Sequence, residues 1–344
     1  MFCLIVYFFK YIYIFKLFFF NERIFKFGNQ KSYFFLNIKS QEVFTINHKK
    51  ETPILEIKNS NDTILGKIDL SLGASIQELT LNRIAIIQDL APLSYKNTYA
   101  SSILFPFANR IKDGKYSFNG KEYQFDINQK EENNALHGLV YNKVFKVLQK
   151  EASESAATVT LEYTEKNKSI GFPFTYRIAL KYIFTENNLS LIVSVKNTDS
   201  EAFPFTIGWH PYFVSENLQK SSLVFDSDQK LIIGERNITL GVEKIAPEEQ
   251  FDIEDKQLDD CWILNSKNVL FKTPKYQLKI TSSAKENFLQ AYTPPKENTI
   301  AIEPTTGVSD SFNNKIGLEI LNSNEVYTVK WDLNLLNTAK KNSF

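Results

Sequence analysis

The stretch YRIALKYIFTENNLSLIVSVKNTDS, residues 176–200, alternates apolar and polar side chains with a period of two residues. This period is typical of a β-strand that buries one face, whereas a helix would repeat its apolar residues about every 3.6 positions. A polar ENN run at 186–188 interrupts the alternation, as the turn of a hairpin does. We therefore predict two antiparallel neighbours, 176–188 and 189–200.

The same pattern recurs outward from this stretch. TVTLEYTEK (158–166) alternates in the same way, and KYSFNGKEYQF (115–125) places two aromatic-rich segments around Asn119-Gly120, a strong hairpin-turn signal. No run of 12 or more residues keeps a helical period, and neither a linker nor a fixed repeat divides the chain up to residue 336. The sequence predicts an all-β fold, one large antiparallel β-sandwich spanning 41–344.

The first 40 residues differ from the rest in composition. They hold 11 of the 29 phenylalanines and 4 of the 16 tyrosines, with six Lys or Arg and one acidic residue. As a membrane helix they would place Lys10 and Lys16 near the bilayer centre, at roughly 2.5–3.5 kcal/mol each. An unusual signal or anchor, translated upstream DNA rich in A and T, and a structural role remain open. We expect a chain starting near Gln41 to fold, and we expect a cytoplasmic protein unless this segment anchors or exports it.

Composition excludes several classes of function. The chain has 40 basic and 39 acidic residues, without a basic, aromatic-rich stripe, so nucleic acid is not an expected partner. Cys3 and Cys261 lack the spacing of a disulfide framework or a zinc site. The sequence contains no G-x-S-x-G, P-loop, GxGxxG or HExxH motif. Proton transfer without a metal or cofactor is the chemistry that remains.

Two of the three histidines, His137 and His210, and one glutamate are the candidates for that chemistry. His48 lies in the lysine-rich INHKKE and is expected to be exposed, whereas His137 lies in NNALHGLVYNKVF as either a turn residue or a catalyst. His210, in TIGWHPYF, precedes a proline that keeps its backbone extended; it could be a packed imidazole or a proton donor. Glu303, in NTIAIEPTTGVSDSFNN, ends an apolar run, where burial raises a carboxyl pKa and suits a general base. A salt bridge is the alternative.

Taken in order, six segments carry a resemblance. They are PFANRIKDGKYSFNGKEYQF, NALHG, WHPYF, LDDCW, LQAYT and AIEPTTGVSDSFN. Together, over about 41–336, this series resembles the aldose 1-epimerase (galactose mutarotase) family. The resemblance implies a galactose mutarotase-like sandwich that interconverts the α and β anomers of a free aldohexose by opening and closing the sugar ring, without a cofactor.

The resemblance also implies roles for individual residues. Glu303 corresponds to the base that takes the proton of the C1 hydroxyl, His210 to the acid that protonates the ring oxygen, and His137 to the second histidine beside that oxygen. Substrate-binding residues are also expected, and they are Arg110, Asp259 (or Asp260 in a shifted register), Gln290, Asn109, Trp209 and Tyr212. EPTTGVSDSFN departs from the glutamine-containing segment of galactose enzymes, so the hexose stays open. A non-catalytic sugar-binding domain and a mutarotase for a phosphorylated sugar are the alternatives, as a monomer or a homodimer.

Overall fold

A computed structural model describes residues 43–48 and 51–336 of the chain. The segment 1–40 and its predicted boundary lie outside the described residues.

Strands make up most of this part of the chain. The first fourteen are β1 (Phe44–His48), β2 (Ile54–Asn59), β3 (Leu65–Asp69), β4 (Ser75–Leu81), β5 (Ile84–Ile87), β6 (Ile103–Leu104), β7 (Arg110–Lys112), β8 (Lys115–Phe118), β9 (Lys121–Gln124), β10 (Asn134–Leu136), β11 (Lys146–Ala152), β12 (Ala157–Glu165), β13 (Tyr176–Phe184) and β14 (Asn188–Asn197). The others are β15 (Phe203–Phe205), β16 (Gly208–Trp209), β17 (Tyr212–Val214), β18 (Ser222–Phe225), β19 (Gln229–Ile233), β20 (Thr239–Lys244), β21 (Phe251–Asp252), β22 (Asp259–Leu264), β23 (Asn268–Lys272), β24 (Gln277–Ser282), β25 (Asn287–Tyr292), β26 (Thr299–Thr305), β27 (Glu319–Leu321) and β28 (Val326–Leu336).

Helices are few and short. Within the described residues they are α1 (Tyr95–Thr98), α2 (Ser311–Asn314) and two 3-10 turns at Leu218–Lys220 and Glu235–Asn237. None of the helices found there is long and apolar enough to cross a membrane. The sequence shows no long run with a helical period, and accordingly the described helices span at most four residues.

The stretch 176–200 forms two neighbouring strands, as predicted. β13 and β14 pair antiparallel, with Phe184 opposite Leu189 at the turn and Tyr176 opposite Asn197 at the far end. Every second residue of β13 is buried, while Arg177 and Lys181 are exposed. The alternation in sequence therefore corresponds to an inner and an outer face of the sheet.

Two large sheets form the sandwich and carry the candidate site residues of β16 to β26. The nine-stranded sheet has the order β11-β12-β13-β14-β28-β24-β23-β18-β21, and the eight-stranded sheet has the order β20-β19-β22-β25-β26-β16-β6, with β17 also paired to β26. A five-stranded sheet, β1 to β5, precedes them in the chain. Trp209 of the eight-stranded sheet stacks on Trp331 of the nine-stranded sheet, with ring centroids 6.2 Å apart. The predicted sandwich of antiparallel sheets is confirmed, and the core lies between them.

The predicted hairpin at 115–125 is also confirmed. β8 and β9 pair with Phe118 opposite Lys121, so Asn119 and Gly120 alone form the turn. Both have positive φ, 50° and 72°, as the mirror-image turn of a tight hairpin requires. A Cβ on Gly120 would meet nothing within 4 Å, so the need for glycine is conformational and not steric.

Candidate active site

Three adjacent strands of the eight-stranded sheet set the position of the predicted base. In the register of β22, β25 and β26, Gln290 lies opposite both Cys261 and Glu303. Asp259, two residues before Cys261, therefore shares a face with Gln290 and Glu303. We call this surface the site face.

The same register separates the two candidate aspartates. Asp260 points to the opposite side of β22, where its carboxylate forms an ion pair with Lys230 Nζ at 2.6 Å. On the site face, Asp259 Oδ1 accepts a hydrogen bond of 2.7 Å from Gln290 Nε2. The structure thus places Asp259, and not Asp260, beside the other candidate residues.

His210 reaches the site face from the junction of β16 and β17. Its backbone N–H donates to the Ser102 carbonyl at 3.0 Å, and its own carbonyl accepts from Ser101 N–H at 2.8 Å. The imidazole lies on the Tyr212 ring, 4.9 Å between centroids, and its Nε2 is 3.4 Å from Glu303 Oε1. The two residues that the sequence assigned as acid and base are therefore neighbours.

His137 approaches the same point on a strained loop. Its φ is 62° and that of Gly138 is 75°, and a Cβ on Gly138 would lie 2.3 Å from the Phe105 carbonyl oxygen. The backbone at residue 138 therefore passes too close to Phe105 for any residue with a Cβ, which accounts for the glycine after His137. The His137 ring meets the His210 ring edge-on at 5.1 Å and the Tyr99 ring at 4.8 Å.

A ring of polar contacts links the predicted sugar-binding residues. Arg110 Nη1 donates to Asn109 Oδ1 at 3.0 Å, and Asn109 Nδ2 donates to Gln290 Oε1 at 3.3 Å. Gln290 donates in turn to Asp259, whose Oδ2 is 3.9 Å from Arg110 Nη2. Asn109 has φ 60°, and its carbonyl accepts from the His137 N–H at 2.8 Å. The four side chains therefore form one connected group that is anchored to the histidine loop.

Burial shifts the pKa values of the central groups in opposite directions. Glu303 is 3% exposed and His210 4%. Desolvation raises the pKa of Glu303 well above its usual value, helped by the nearby Asp259 charge and opposed by Arg110. Burial, together with the Arg110 charge, lowers the pKa of His210 to about 3. Burial thus favours a protonated carboxyl beside a neutral imidazole.

His137 and Asp259 follow the same rule. Burial lowers the pKa of His137, with the neighbouring His210 and Arg110 charges acting in the same direction. Desolvation raises the pKa of Asp259, against the pull of Arg110. The Nδ1 atoms of His137 and His210 are buried and have no hydrogen-bond partner among the described residues. Unpaired buried polar atoms are uncommon in folded proteins, and a catalytic role is one of several explanations for them.

Trp209, Tyr212 and His48 are the remaining residues for which the sequence predicts a position. Trp209 was expected to line the sugar site, but its indole is fully buried and faces the core against Trp331. His210, the next residue, lies just past the end of β16, and its side chain contacts Tyr212 and Glu303 instead. Tyr212 does lie against His210, with its hydroxyl donating to the Thr98 carbonyl at 3.1 Å. His48 is exposed on β1, as expected.

Sequence reasoning missed Glu132. Its Oε2 accepts from Arg110 Nε at 3.0 Å, so it is a direct partner of a predicted sugar-binding residue. It lies in the polar run NQKEENN, where nothing distinguishes it from the adjacent Glu131. Only the position of this loop against β7 could have identified it.

Other features of the described residues lie apart from this group. A cavity of about 630 Å³ is formed by the loops at 216–219, 254–257 and 293–299, and it includes none of the predicted site residues. Within the described stretch, no group of three or more His, Cys, Asp or Glu side chains could hold a metal ion. The candidate site therefore consists of His210, Glu303, His137 and the ring of polar contacts around Arg110.

Known proteins resemble this chain over most of its length. A galactose mutarotase-like protein from Clostridium acetobutylicum superimposes with a TM-score of 0.75, covering 86% of this chain and 98% of the other at 21% identity. A galactose 1-epimerase from Lactobacillus acidophilus gives 0.70, covering 86% and 99% at 19% identity. These likenesses support the mutarotase-like fold.

Sequence comparisons give the family. The uncharacterized protein YihR of Escherichia coli is 22% identical over 281 residues, which are 77% of this chain and 88% of that protein. Human galactose mutarotase is 29% identical over 162 residues, 44% of each chain. The model of the family described as aldose 1-epimerase matches residues 69–334, well over half of the chain. The chain therefore belongs to the aldose 1-epimerase family.

Proposed function

We propose that this protein is a mutarotase that interconverts the α and β anomers of a free aldohexose. The observation that carries the proposal is the buried pair His210 and Glu303, with 3.4 Å between Nε2 and Oε1. The ring oxygen and the C1 hydroxyl oxygen of a sugar are bonded to the same carbon. An acid and a base that serve these two oxygens must therefore be close neighbours, as His210 and Glu303 are.

The proposed reaction moves two protons and breaks one bond. Glu303 as carboxylate takes the proton of the C1 hydroxyl, the C1–O1 bond becomes a carbonyl, and the bond from C1 to the ring oxygen breaks. His210 as imidazolium delivers its proton to that ring oxygen, next to His137. After rotation about C1–C2, the protonated Glu303 and the neutral His210 run the same steps backwards to the other anomer. Each positioned group is expected to contribute roughly 10²–10⁴-fold.

The pKa directions distinguish the two proton arrangements of this cycle. A carboxylate with an imidazolium and a carboxyl with a neutral imidazole hold the same number of protons. Burial raises the pKa of Glu303 and lowers that of His210, which favours the second arrangement. That is the arrangement of the pair when the sugar ring is open. The proposed ring opening therefore starts from the proton arrangement that burial disfavours and ends in the one that burial favours.

Charge around Arg110 favours an uncharged sugar over a phosphorylated one. Its guanidinium lies 3.0 Å from Glu132 and 3.9 Å from Asp259, so two carboxylates already balance its charge. A phosphate brought to this position would meet both carboxylates as well as the arginine. Sugar hydroxyls, in contrast, can both donate to Asp259 and accept from Arg110.

A non-catalytic sugar-binding function would leave the buried His210 and Glu303 unexplained. Burying a histidine and a glutamate costs free energy that binding of hydroxyls does not require. Neutral amides would hydrogen-bond a sugar without that cost.

Polarimetry of freshly dissolved α-glucose, α-galactose and a panel of other aldoses tests the proposal. The wild type is expected to speed equilibration of at least one aldose, and Glu303→Gln should be slower by roughly 10²-fold or more. Glu297→Gln is the matched control, because Glu297 is exposed on the loop between β25 and β26. Equilibration no faster than in buffer for every aldose would refute the proposal. A fast rate that Glu303→Gln leaves unchanged would refute the assignment of the base.

A further inference from the structure

Arg110 Nε donates to two side chains of the loop before β10, to Gln129 Oε1 at 3.2 Å and to Glu132, which is the charged one of the two. Glu132 Oε2 accepts from Arg110 Nε at 3.0 Å, and Glu132 Oε1 accepts from Asn237 Nδ2 at 2.8 Å. The Arg110 side chain is 12% exposed and that of Glu132 27%. Both carboxylate oxygens thus have a partner, and the ion pair lies mostly away from solvent.

The loop that carries Glu132 is itself held from behind. Arg236 donates to the Glu132 and Asn133 carbonyls, to Asp113 Oδ1 at 2.8 Å and to Asn134 Oδ1 at 3.0 Å. Asn134 is fully buried and donates to Glu132 Oε2 at 3.4 Å. Hydrogen bonds and ion pairs therefore connect Asp113, Arg236, the loop that carries Glu132, Arg110 and Asp259.

We propose that Glu132 is a positioning residue that aims Arg110 at the sugar. The proposal rests on the proposed function, in which Arg110 binds sugar hydroxyls. A guanidinium is planar, with five N–H groups in fixed directions, so fixing Nε also fixes where the two Nη groups point. With Nε held by Glu132, the Nη groups face Asn109 and Asp259, on the site face.

The negative charge of Glu132 has a second effect, which is to neutralise the Arg110 guanidinium. Arg110 lies near two histidines and opposes the high pKa of Glu303. An arginine that is mostly buried without a close partner would be costly and would turn toward solvent. The ion pair with Glu132 keeps the cation in place without drawing on Asp259, whose nearer contact is the one to Gln290.

Steady-state kinetics of Glu132→Gln separates positioning from catalysis. Losing the charge should raise KM roughly tenfold or more and change kcat by less than about threefold, because the acid and base are untouched. Glu131→Gln, on the same loop and exposed, is the matched control and should match the wild type. A fall in kcat with unchanged KM would overturn the proposal, and so would a lower melting temperature with unchanged kinetics.

A double substitution tests that Glu132 acts through Arg110. In an Arg110→Ala background, adding Glu132→Gln should raise KM by no more than about twofold, because the group to be positioned is gone. A full additional increase in KM would show that Glu132 acts by another route and would overturn the proposal.

An NMR measurement tests the contact without any turnover. The chain has five arginines, so ¹⁵N-arginine labelling gives at most five Nε–H signals, and Arg110→Lys identifies the one from Arg110. In the wild type this signal should persist above pH 8, where exposed Nε–H groups exchange rapidly, and it should weaken in Glu132→Gln. An Arg110 signal that is unprotected in the wild type would overturn the proposal. If the wild type fails to interconvert anomers but this signal is protected and sugar binding measured by calorimetry weakens in Glu132→Gln, the proposed catalysis fails while the positioning role stands.

Discussion

The nine-stranded sheet and the site face of the eight-stranded sheet bury their side chains for different purposes. β13 and β14 bury a regular series of apolar residues, including Leu180, Leu191 and Val193. The site face buries Glu303 and Gln290, with His210 alongside, each of which has polar atoms that lose contact with water. The first kind of burial lowers the free energy of the folded state, and the second raises it. Stability and chemistry should therefore respond to different substitutions.

The largest expected effect concerns His210. Replacing it by Asn removes the proposed acid, and the interconversion rate should fall by roughly 10²–10⁴-fold. Thermal unfolding should change little or shift upward, because a neutral amide replaces a group whose burial is costly. Polarimetry and a melting curve on one sample check both parts. A rate loss matched by an equally large loss of stability would show that His210 serves packing instead.

Leu191→Ala in β14 is the opposite case. Leu191 is fully buried, so truncation should cost about 2–5 kcal/mol of unfolding free energy. The interconversion rate per folded molecule should stay within about twofold of the wild type, since no site residue lies on β14. Denaturant titration and polarimetry well below the melting temperature measure the two quantities. A large rate loss in fully folded protein would break the distinction between the two sheets.

Asp259 and Asp260 are adjacent in β22 but lie on opposite faces, so they allow site residues and other residues to be compared within one strand. Asp259→Asn should raise KM roughly tenfold, because the carboxylate proposed to bind sugar hydroxyls is lost from the site face. Asp260→Asn breaks the ion pair with Lys230 on the other side and should leave KM unchanged. Steady-state kinetics of both variants and the wild type measure the KM values. Equal effects of both substitutions would contradict the register that places only Asp259 in the site.

The smallest expected effect is a pH dependence of stability. Burial raises the pKa of folded Glu303, so the native state holds a proton above about pH 4.5 that the unfolded state releases, and this contribution lowers stability as pH rises. His210 acts oppositely: its pKa of about 3 means that stability rises with pH between about 3 and 6.5. Between about pH 4.5 and 6.5 the contributions of Glu303 and His210 oppose each other, and His137, whose pKa burial also lowers, acts in the same direction as His210.

Comparing Glu303→Gln with the wild type isolates this effect. The variant should gain unfolding free energy relative to the wild type by up to about 1.4 kcal/mol per pH unit as pH rises above 4.5, because Gln does not titrate. Leu191→Ala, measured in the same way, should show a difference from the wild type that does not vary with pH. A flat difference for Glu303→Gln as well would mean that the carboxyl has an ordinary pKa in the folded protein.

The sequence predicted the regular parts of the fold more fully than the site. Alternation located β13 and β14, and Asn119-Gly120 located a hairpin, because both signals are local. Trp209 was assigned to the wrong side, because β16 has two residues and is too short for alternation to show which face is buried. Asp259 and Asp260 could not be separated until the pairing of β22 with β25 set their faces. Glu132 had no local signal, because its partner Arg110 is 22 residues away in the chain.

The candidate residues themselves came from short segments far apart in the chain. His137, His210 and Glu303 were singled out by residue type and by the order of the segments that resemble the family. That they lie together depends on backbone features that the pattern did not reveal, such as the positive φ of Asn109 and His137. Their catalytic and binding roles stay predictions.

Exchange NMR of the anomeric protons at equilibrium tests the central claim most directly, namely that Glu303 and His210 open the sugar ring by proton transfer. With wild type, we predict exchange cross-peaks between the α and β signals of at least one free aldose. The corresponding methyl glycoside should show none, since its C1 oxygen has no proton for Glu303 to take. Glu303→Gln should reduce the exchange to the buffer rate. The account is contradicted if no aldose exchanges faster than in buffer, or if Glu303→Gln exchanges as fast as the wild type.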